Sequence, residues 1–244
     1  MSGALFTVYD LGLIAYDDAY RLQKDIRRRV IDGETGDTLL ILEHPPTITV
    51  GKAGKPENVL VSQTQLTRDG VSLFFADRGG DVTYHGPGQL VAYPIVDLKK
   101  RGAGAHQYVH DLEEVVIKTL EDFSIRGCRD AVHSGVCAGS DEIAAIGISL
   151  KKWVTMHGVA LNISTDLRQF ALINPCGFTD RKATSMSRFL SRDVPVKDVA
   201  GRFLLHFSEV FDTRSLISNA GRLESASIDM LAGGTYGKPA SSLV

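Results

Sequence analysis

The sequence predicts an α/β fold of the α+β type, a mixed and mainly antiparallel sheet with flanking helices, and three observations carry that prediction. Short β-rich runs at 5–10 and 38–43 enclose a segment whose apolar residues recur at helical spacing. Two longer runs, Glu142 to Leu150 and Trp153 to Ile163, are joined by Lys151-Lys152, a length that suits a tight hairpin turn. Helical segments do not alternate regularly with strands, which argues against a doubly wound parallel sheet.

Taken in order, LFTVYD reads as a strand, Tyr16, Ala19, Leu22, Ile26 and Val30 mark one helix face, and TLLILE reads as the next strand. Within that helix Arg27-Arg28-Arg29 reads as a solvated face. His44-Pro45-Pro46 turns the chain, because two prolines remove two ladder donors, and Thr47 to Val50 resumes as a strand. Val71 to Ala76 and Leu90 to Ile95 are further strands enclosing a glycine-rich loop. Val109, Leu112, Val116, Leu120 and Phe123 place an amphipathic helix over 105–123. The hairpin follows, and a last helix after Pro195 buries Val199, Phe203, Phe207 and Val210, with His206 beside that face in a structural role. From 218 to 244, 14 of 27 residues are Gly, Ser, Ala or Pro and no apolar period persists. The organisation expected is one domain over 1–217 and a mobile tail over 218–244.

Composition narrows the function. With 43% apolar and 23% charged residues in a chain of 244, the protein has the make-up of an ordinary globular domain with a sizeable core. The 27 Lys plus Arg against 29 Asp plus Glu leave no basic surplus for nucleic acid or an anionic membrane. The start, MSGALFTVYD, lacks a basic patch followed by an apolar stretch, and no apolar run reaches bilayer length, so a cytoplasmic location is expected. Cys128, Cys137 and Cys176 lack the close pairing of a zinc site and read as free thiols.

Two segments could carry chemistry. Residues 78–89, RGGDVTYHGPGQ, combine four glycines with Arg78, Thr83, Tyr84 and His85, which lets backbone N–H groups approach a ligand while the side chains supply charge and hydrogen bonds. The segment has neither the Gly-Lys-Ser/Thr ending of a phosphate-binding loop nor a dinucleotide fingerprint. In Asn174-Pro175-Cys176-Gly177 a thiol lies between proline and glycine; it reacts as the thiolate and needs a cation, a helix N-terminus or a histidine nearby, for which His85 and His157 are candidates. On residues alone, each of these segments also reads as ordinary structure, a packed turn and a buried thiol.

The combination EHPPTITVGK, RGGDVTYHGPGQLVAYPIVDL, IAAIGISLKKWVTMHGVALNI and INPCGFTDRKATSMSR, spread in unbroken order over about residues 5–212, resembles the lipoyl(octanoyl) transferase family. The resemblance implies the catalytic-domain fold of biotin and lipoate protein ligases. It also implies transfer of an octanoyl group from acyl carrier protein to a lysine on lipoyl domains of 2-oxoacid dehydrogenases or of the glycine-cleavage H protein. No ATP and no cofactor or metal is called for, and no nucleic acid or membrane is a partner.

Carried over position by position, the resemblance makes Cys176 the nucleophile that forms an acyl-enzyme thioester. It assigns Arg78, Gly79, Gly80, Asp81, Val82, Thr83, Tyr84 and His85 to the acyl and pantetheine pocket, Ala145, Ile146 and Gly147 to the strand edge beside it, and Gly158, Val159 and Ala160 to its other wall, next to His157. Glu142 stands where the family carries the lysine that lowers the thiol pKa, and Cys137 stands where it usually carries tryptophan, a change expected to reshape the pocket. Glu142 opens a second reading, a catalytically weakened or silent module that binds acyl carrier or lipoyl domains. An ATP-dependent lipoate ligase is a third reading, disfavoured because the glycine block matches the transferases.

Overall fold

The computed structural model describes residues 4–130, 133–174 and 182–217. An eight-stranded sheet contains β1 (Ala4–Leu13), β2 (Thr38–Glu43), β6 (Gln89–Ile95), β7 (Gly127–Arg129), β8 (Gly135–Ala138), β9 (Asp141–Lys151), β10 (Val154–Asn162) and β11 (Thr213–Ile217), in the order β11-β1-β2-β6-β10-β9-β8-β7. A three-stranded sheet places β3 (Thr47–Val50) between β4 (Ser72–Phe75) and β5 (Val82–His85). Only β1 with β11, β1 with β2, and β3 with β4 pair in parallel among the described strands; the other pairings are antiparallel. The mixed, mainly antiparallel sheet with flanking helices is therefore the observed architecture.

Alternation along the central strands builds a core on each face of the large sheet. Leu39 and Ile41 of β2 and Leu90 and Ala92 of β6 join a cluster with Leu112, Val116 and Leu120 of α4 (Ala105–Glu121) and Phe203 and Phe207 of α6 (Val196–Val210). The intervening Leu40, Leu42, Val91, Tyr93 and Ile95 pack instead with Ala19, Leu22, Ile26 and Val30 of α1 (Tyr16–Ile31), and α2 (Gln63–Arg68), α3 (Leu98–Arg101) and α5 (Met186–Leu190) are short. Central strands buried on both faces read as continuous apolar runs, which is why TLLILE is legible as a strand. Asp17 and Asp18 in the first turn of α1 and Arg28 and Arg29 in the last complement its dipole.

His44-Pro45-Pro46 lies between β2 and β3 and carries the chain from the large sheet into the small one. A third core, with Ile48, Val50, Val82 and Tyr84, sits beneath the small sheet.

Four details differ from the sequence reading. The hairpin turn is Lys152-Trp153, one residue later than expected, because both adopt positive φ (50° and 67°) and Lys151 pairs with Val154; two successive left-handed residues give a turn whose twist matches the strands. The glycine-rich block is no continuous loop, since its VTYH core forms β5 against β3, a partner far enough along the chain that local pattern does not reveal it. Arg27 is not solvated: helix spacing puts it on the inner face beside Gln23 and Val30, where it is buried and its Nη1 donates to Ser149 Oγ at 2.9 Å. The short strands β7, β8 and β11 carry no period of their own. His206 links α6 to the end of α4 through Asp122 Oδ2 at 2.9 Å, the structural role expected of it. The region 218–244 lies outside the described residues.

Candidate active site

A cavity of about 780 Å³ opens between the large sheet and the small one. Ala145, Ile146 and Gly147 of β9 and His157, Gly158, Val159 and Ala160 of β10 line it, and Arg78, Gly79, Gly80, Asp81, Val82, Thr83 and His85 cross above them. On the strand side, Ala145, Gly147, Gly158 and Ala160 make its wall small and apolar. Strand pairing sets Gly158 opposite Gly147 and Ala160 opposite Ala145, so the two wall segments named by the resemblance are one continuous surface.

The loop is held against this surface by its backbone. Gly79 N–H donates to Ile148 O at 2.8 Å, and a Cβ on Gly147 would stand 3.0 Å from Gly79 O, so glycine there favours the close approach of the loop. Arg78 is buried, with Nε 3.1 Å and Nη2 2.9 Å from Thr49 Oγ1, Nη2 2.7 Å from Thr49 O, and Nη1 2.9 Å from its neighbour's carbonyl, Gly79 O. Asp81 accepts from Asn58 Nδ2 at 2.5 Å and from Lys55 N at 3.3 Å, which ties the loop to the segment after β3.

His85 and His157 are both buried, and burial lowers the pKa of each, but their partners differ. Gln89 donates through Nε2 to Tyr84 O and Asn162 Oδ1, so its Oε1 accepts from His85 Nδ1 at 2.8 Å, and Thr49 Oγ1 lies 3.3 Å from His85 Nε2. Burial first, then the nearby His44, keep His85 far below the usual histidine range. His157 takes a left-handed backbone (φ 63°) within β10, and its Nε2 lies 2.8 Å from Asp77 Oδ1. Burial lowers the pKa of His157 and the Asp77 carboxylate opposes that. Asp77, bonded to His157 and 3.6 Å from Arg27 Nη2, is held well below the carboxylate range.

Two residues carried over from the resemblance lie off the cavity. Tyr84 points the other way from Thr83 and His85, as alternation along β5 requires, and packs on Phe170 with ring centroids 5.5 Å apart. Cys137 is buried in β8 with Sγ 3.6 Å from Asp130 Oδ2; Asp130 lines the cavity and Cys137 does not. Cys128 is exposed. Among the described residues, no group of three or more His, Cys, Asp or Glu is arranged to hold a metal ion, and no helix is long and apolar enough to cross a membrane.

Residues 15–208 match the lipoyl protein ligase A/B catalytic domain family. The chain belongs to that family. An octanoyltransferase of Desulforamulus reducens is 44% identical over 84% of this chain and 90% of its own length, and one of Caldicellulosiruptor saccharolyticus is 45% identical over 84% and 88%. Among solved structures, lipoate-protein ligase A bound with ATP superposes with a TM-score of 0.74 at 16% identity, covering 96% of this chain and 93% of that one. A bi-partite lipoate protein ligase of Thermoplasma acidophilum gives 0.71 at 16% identity, over 96% and 91%. These two likenesses establish the ligase catalytic-domain fold.

Within the lipoyl protein ligase A/B domain, one end of the cavity is lined by the residues that flank the stretch to which the resemblance assigns the nucleophile. Cys176 itself lies in 175–181, outside the described residues; Asn174 and Lys182, which flank that stretch, both line the cavity. Glu142 lines it too, on β9, with its N–H donating to Lys182 O at 3.0 Å and its carbonyl accepting from Thr184 N at 2.8 Å. The backbone of Lys182 is thus bonded to that of Glu142 at the same end of the cavity. Sequence reasoning missed Tyr16 and Tyr93, which line the opposite end. Tyr16 reads from its spacing as one more core position of α1, and period alone does not separate a cavity wall from a core.

Proposed function

We propose that this protein moves an octanoyl group from acyl carrier protein to a lysine of a lipoyl domain, through a thioester on Cys176. It is an acyltransferase by its family and by its relatives' shared activity. The observation that supports the octanoyl reading best is the continuous wall of Ala145–Gly147 and Gly158–Ala160 facing the Arg78–Thr83 loop, a slot of small residues with room for an alkyl chain. Burying each methylene of such a chain is favourable by about 0.8 kcal/mol, so the apolar walls supply binding while polar groups orient the thioester.

In the first half-reaction the Cys176 thiolate attacks the donor thioester carbonyl. The carrier thiolate leaves and takes up a proton, and the acyl group stays on sulfur. In the second, the unprotonated amine of the acceptor lysine attacks the acyl-enzyme. An amide forms, the enzyme thiol is restored, and the proton lost from the ammonium goes to solvent. Neither half-reaction consumes ATP.

The test is intact mass spectrometry after mixing with octanoyl carrier protein, followed by addition of a lipoyl domain. One octanoyl group should appear on the protein, map to Cys176, and move to the lysine. Glu142 supports the second reading, a silent binding module, and the same experiment separates the two: complex formation without any acylated protein would establish the module.

A further inference from the structure

The two ends of the cavity differ in chemistry. On β9, Ile148, the partner of His157, lies six residues beyond Glu142, about 20 Å away along the strand at ~3.3 Å per residue. If the acyl group is carried at the Glu142, Asn174 and Lys182 end, an extended eight-carbon chain of ~1.5 Å bonds covers about 9 Å of that span beyond the side chain bearing it. Its far carbons then lie in the inner half, toward Gly147 and Gly158.

That inner end is a shell of rings rather than an alkyl floor. Tyr16, His85, Tyr93 and His157 all line it. Tyr16 packs on His85 and His44 with centroids 5.8 and 5.0 Å apart, and Tyr93 packs on His157 at 6.1 Å. Most polar atoms of this shell are already used. Both nitrogens of His85 are bonded, His157 Nε2 is bonded to Asp77, and Tyr93 O–H donates to His44 Nε2 at 2.9 Å, since His44 Nδ1 donates to Ile14 O.

Two polar atoms of the shell are left over, the buried His157 Nδ1 and the Tyr16 hydroxyl. Among the described residues no group hydrogen-bonds to that hydroxyl, although Tyr16 is 4% exposed and lines the cavity. Burial pushes its pKa far up, so the hydroxyl keeps its proton and is a donor. A phenylalanine would fill the same ring cluster, with Tyr20 and Phe74 as its other neighbours, without the donor that the hydroxyl presents to the cavity.

We propose that Tyr16 is a specificity-determining residue, whose hydroxyl donates a hydrogen bond to an oxygen near the far end of the acyl chain, so that the site takes medium-chain acyl groups bearing a terminal hydroxyl as well as the plain chain. This rests on the acyl-transfer reading of the cavity. The physical basis is that a wholly apolar floor penalises a buried hydroxyl, whereas one placed donor removes that penalty.

The experiment compares octanoyl and 8-hydroxyoctanoyl carrier protein as donors, for the wild-type protein and Tyr16→Phe, and reads the ratio of their kcat/KM values. The wild type should use the hydroxylated chain at least as well as the plain one, and Tyr16→Phe should lower that ratio at least tenfold. The same ratio in both proteins overturns the proposal, whatever the absolute rates. Calorimetric binding of the two free acids gives a second measurement that needs no turnover: a wild-type protein that binds 8-hydroxyoctanoate tenfold or more weakly than octanoate overturns it too, even if Tyr16→Phe does not fold. Absence of transfer from either donor, with the acids still binding in the expected ratio, would count against the transferase reading alone.

Discussion

His157 Nε2 and Asp77 Oδ1 stand 2.8 Å apart, joining a cavity-lining imidazole on β10 to a carboxylate that is still 32% exposed. The contact holds a residue whose backbone is left-handed in the middle of a strand, and Ser149 Oγ at 3.4 Å and Arg27 at 3.6 Å complete the support of the carboxylate. Strain of this kind persists only where its surroundings over-determine it. Asp77→Asn should therefore cost about 1 kcal/mol of stability at neutral pH, a modest figure because the carboxylate is partly solvated. Because Asp77 has a depressed folded pKa, its contribution is present above the ordinary carboxylate range and lost as pH falls through and below it. Urea denaturation at pH 7 and pH 3.5 should show a difference between wild type and variant that shrinks in acid; a constant difference would mean that the charge on Asp77 contributes nothing.

Acid should weaken the fold before the carboxylates titrate. Burial holds His44 down to about 4, and His85 and His157 are lowered as well. Where the folded pKa lies below the unfolded value of about 6.5, the unfolded chain binds the proton first, so stability falls as pH drops from about 6.5 toward 4. His44→Gln should flatten this limb by up to about 1.4 kcal/mol per pH unit while lowering stability at pH 7. Parallel stability curves for the two proteins would contradict it.

Replacing Cys176 with Ser should abolish transfer with the fold intact, because an unactivated hydroxyl is a far poorer nucleophile than even a small thiolate fraction. Circular dichroism checks the fold, and peptide mapping checks the site. Acyl transfer that survives, with Cys128 or Cys137 carrying the group, moves the nucleophile elsewhere.

Glu142→Lys should raise the rate of acyl-enzyme formation at least tenfold, and Glu142→Gln should fall between, because a nearby anion disfavours a thiolate and a cation favours it by more than one pKa unit. Single-turnover acylation and iodoacetamide reactivity against pH measure both. No change in either variant would assign the activating role to another cation, with Lys182, hydrogen-bonded through its carbonyl to Glu142 N, the first to replace.

Gly147→Ala should raise the donor KM more than it lowers the thermal midpoint. The new methyl would stand 3.0 Å from Gly79 O and press the loop outward by a few tenths of an ångström over the slot that it covers. Equal kinetics for the two proteins would make the loop a structural turn only.

What the sequence by itself determined is the layered core and the family. TLLILE, the helical stripe from Tyr16 to Val30 and the Val109 to Leu120 stripe are legible because one period of burial runs through each of them. The RGGDVTYH and AIG blocks are legible because close backbone approach restricts residue choice, as at Gly147. What only the tertiary structure decided is which side of each element meets the cavity. Arg27 turns inward to Ser149 and Asp77, Tyr84 turns away from the slot, and Tyr16 lines it, although each follows the local spacing of its neighbours. Their roles depend on contacts such as Arg27 to Ser149, 122 residues apart in the chain, and on a small sheet whose strands meet only after the chain has crossed from the large one. Local pattern encodes burial; whether a buried face meets a core or a ligand is settled by what folds over it.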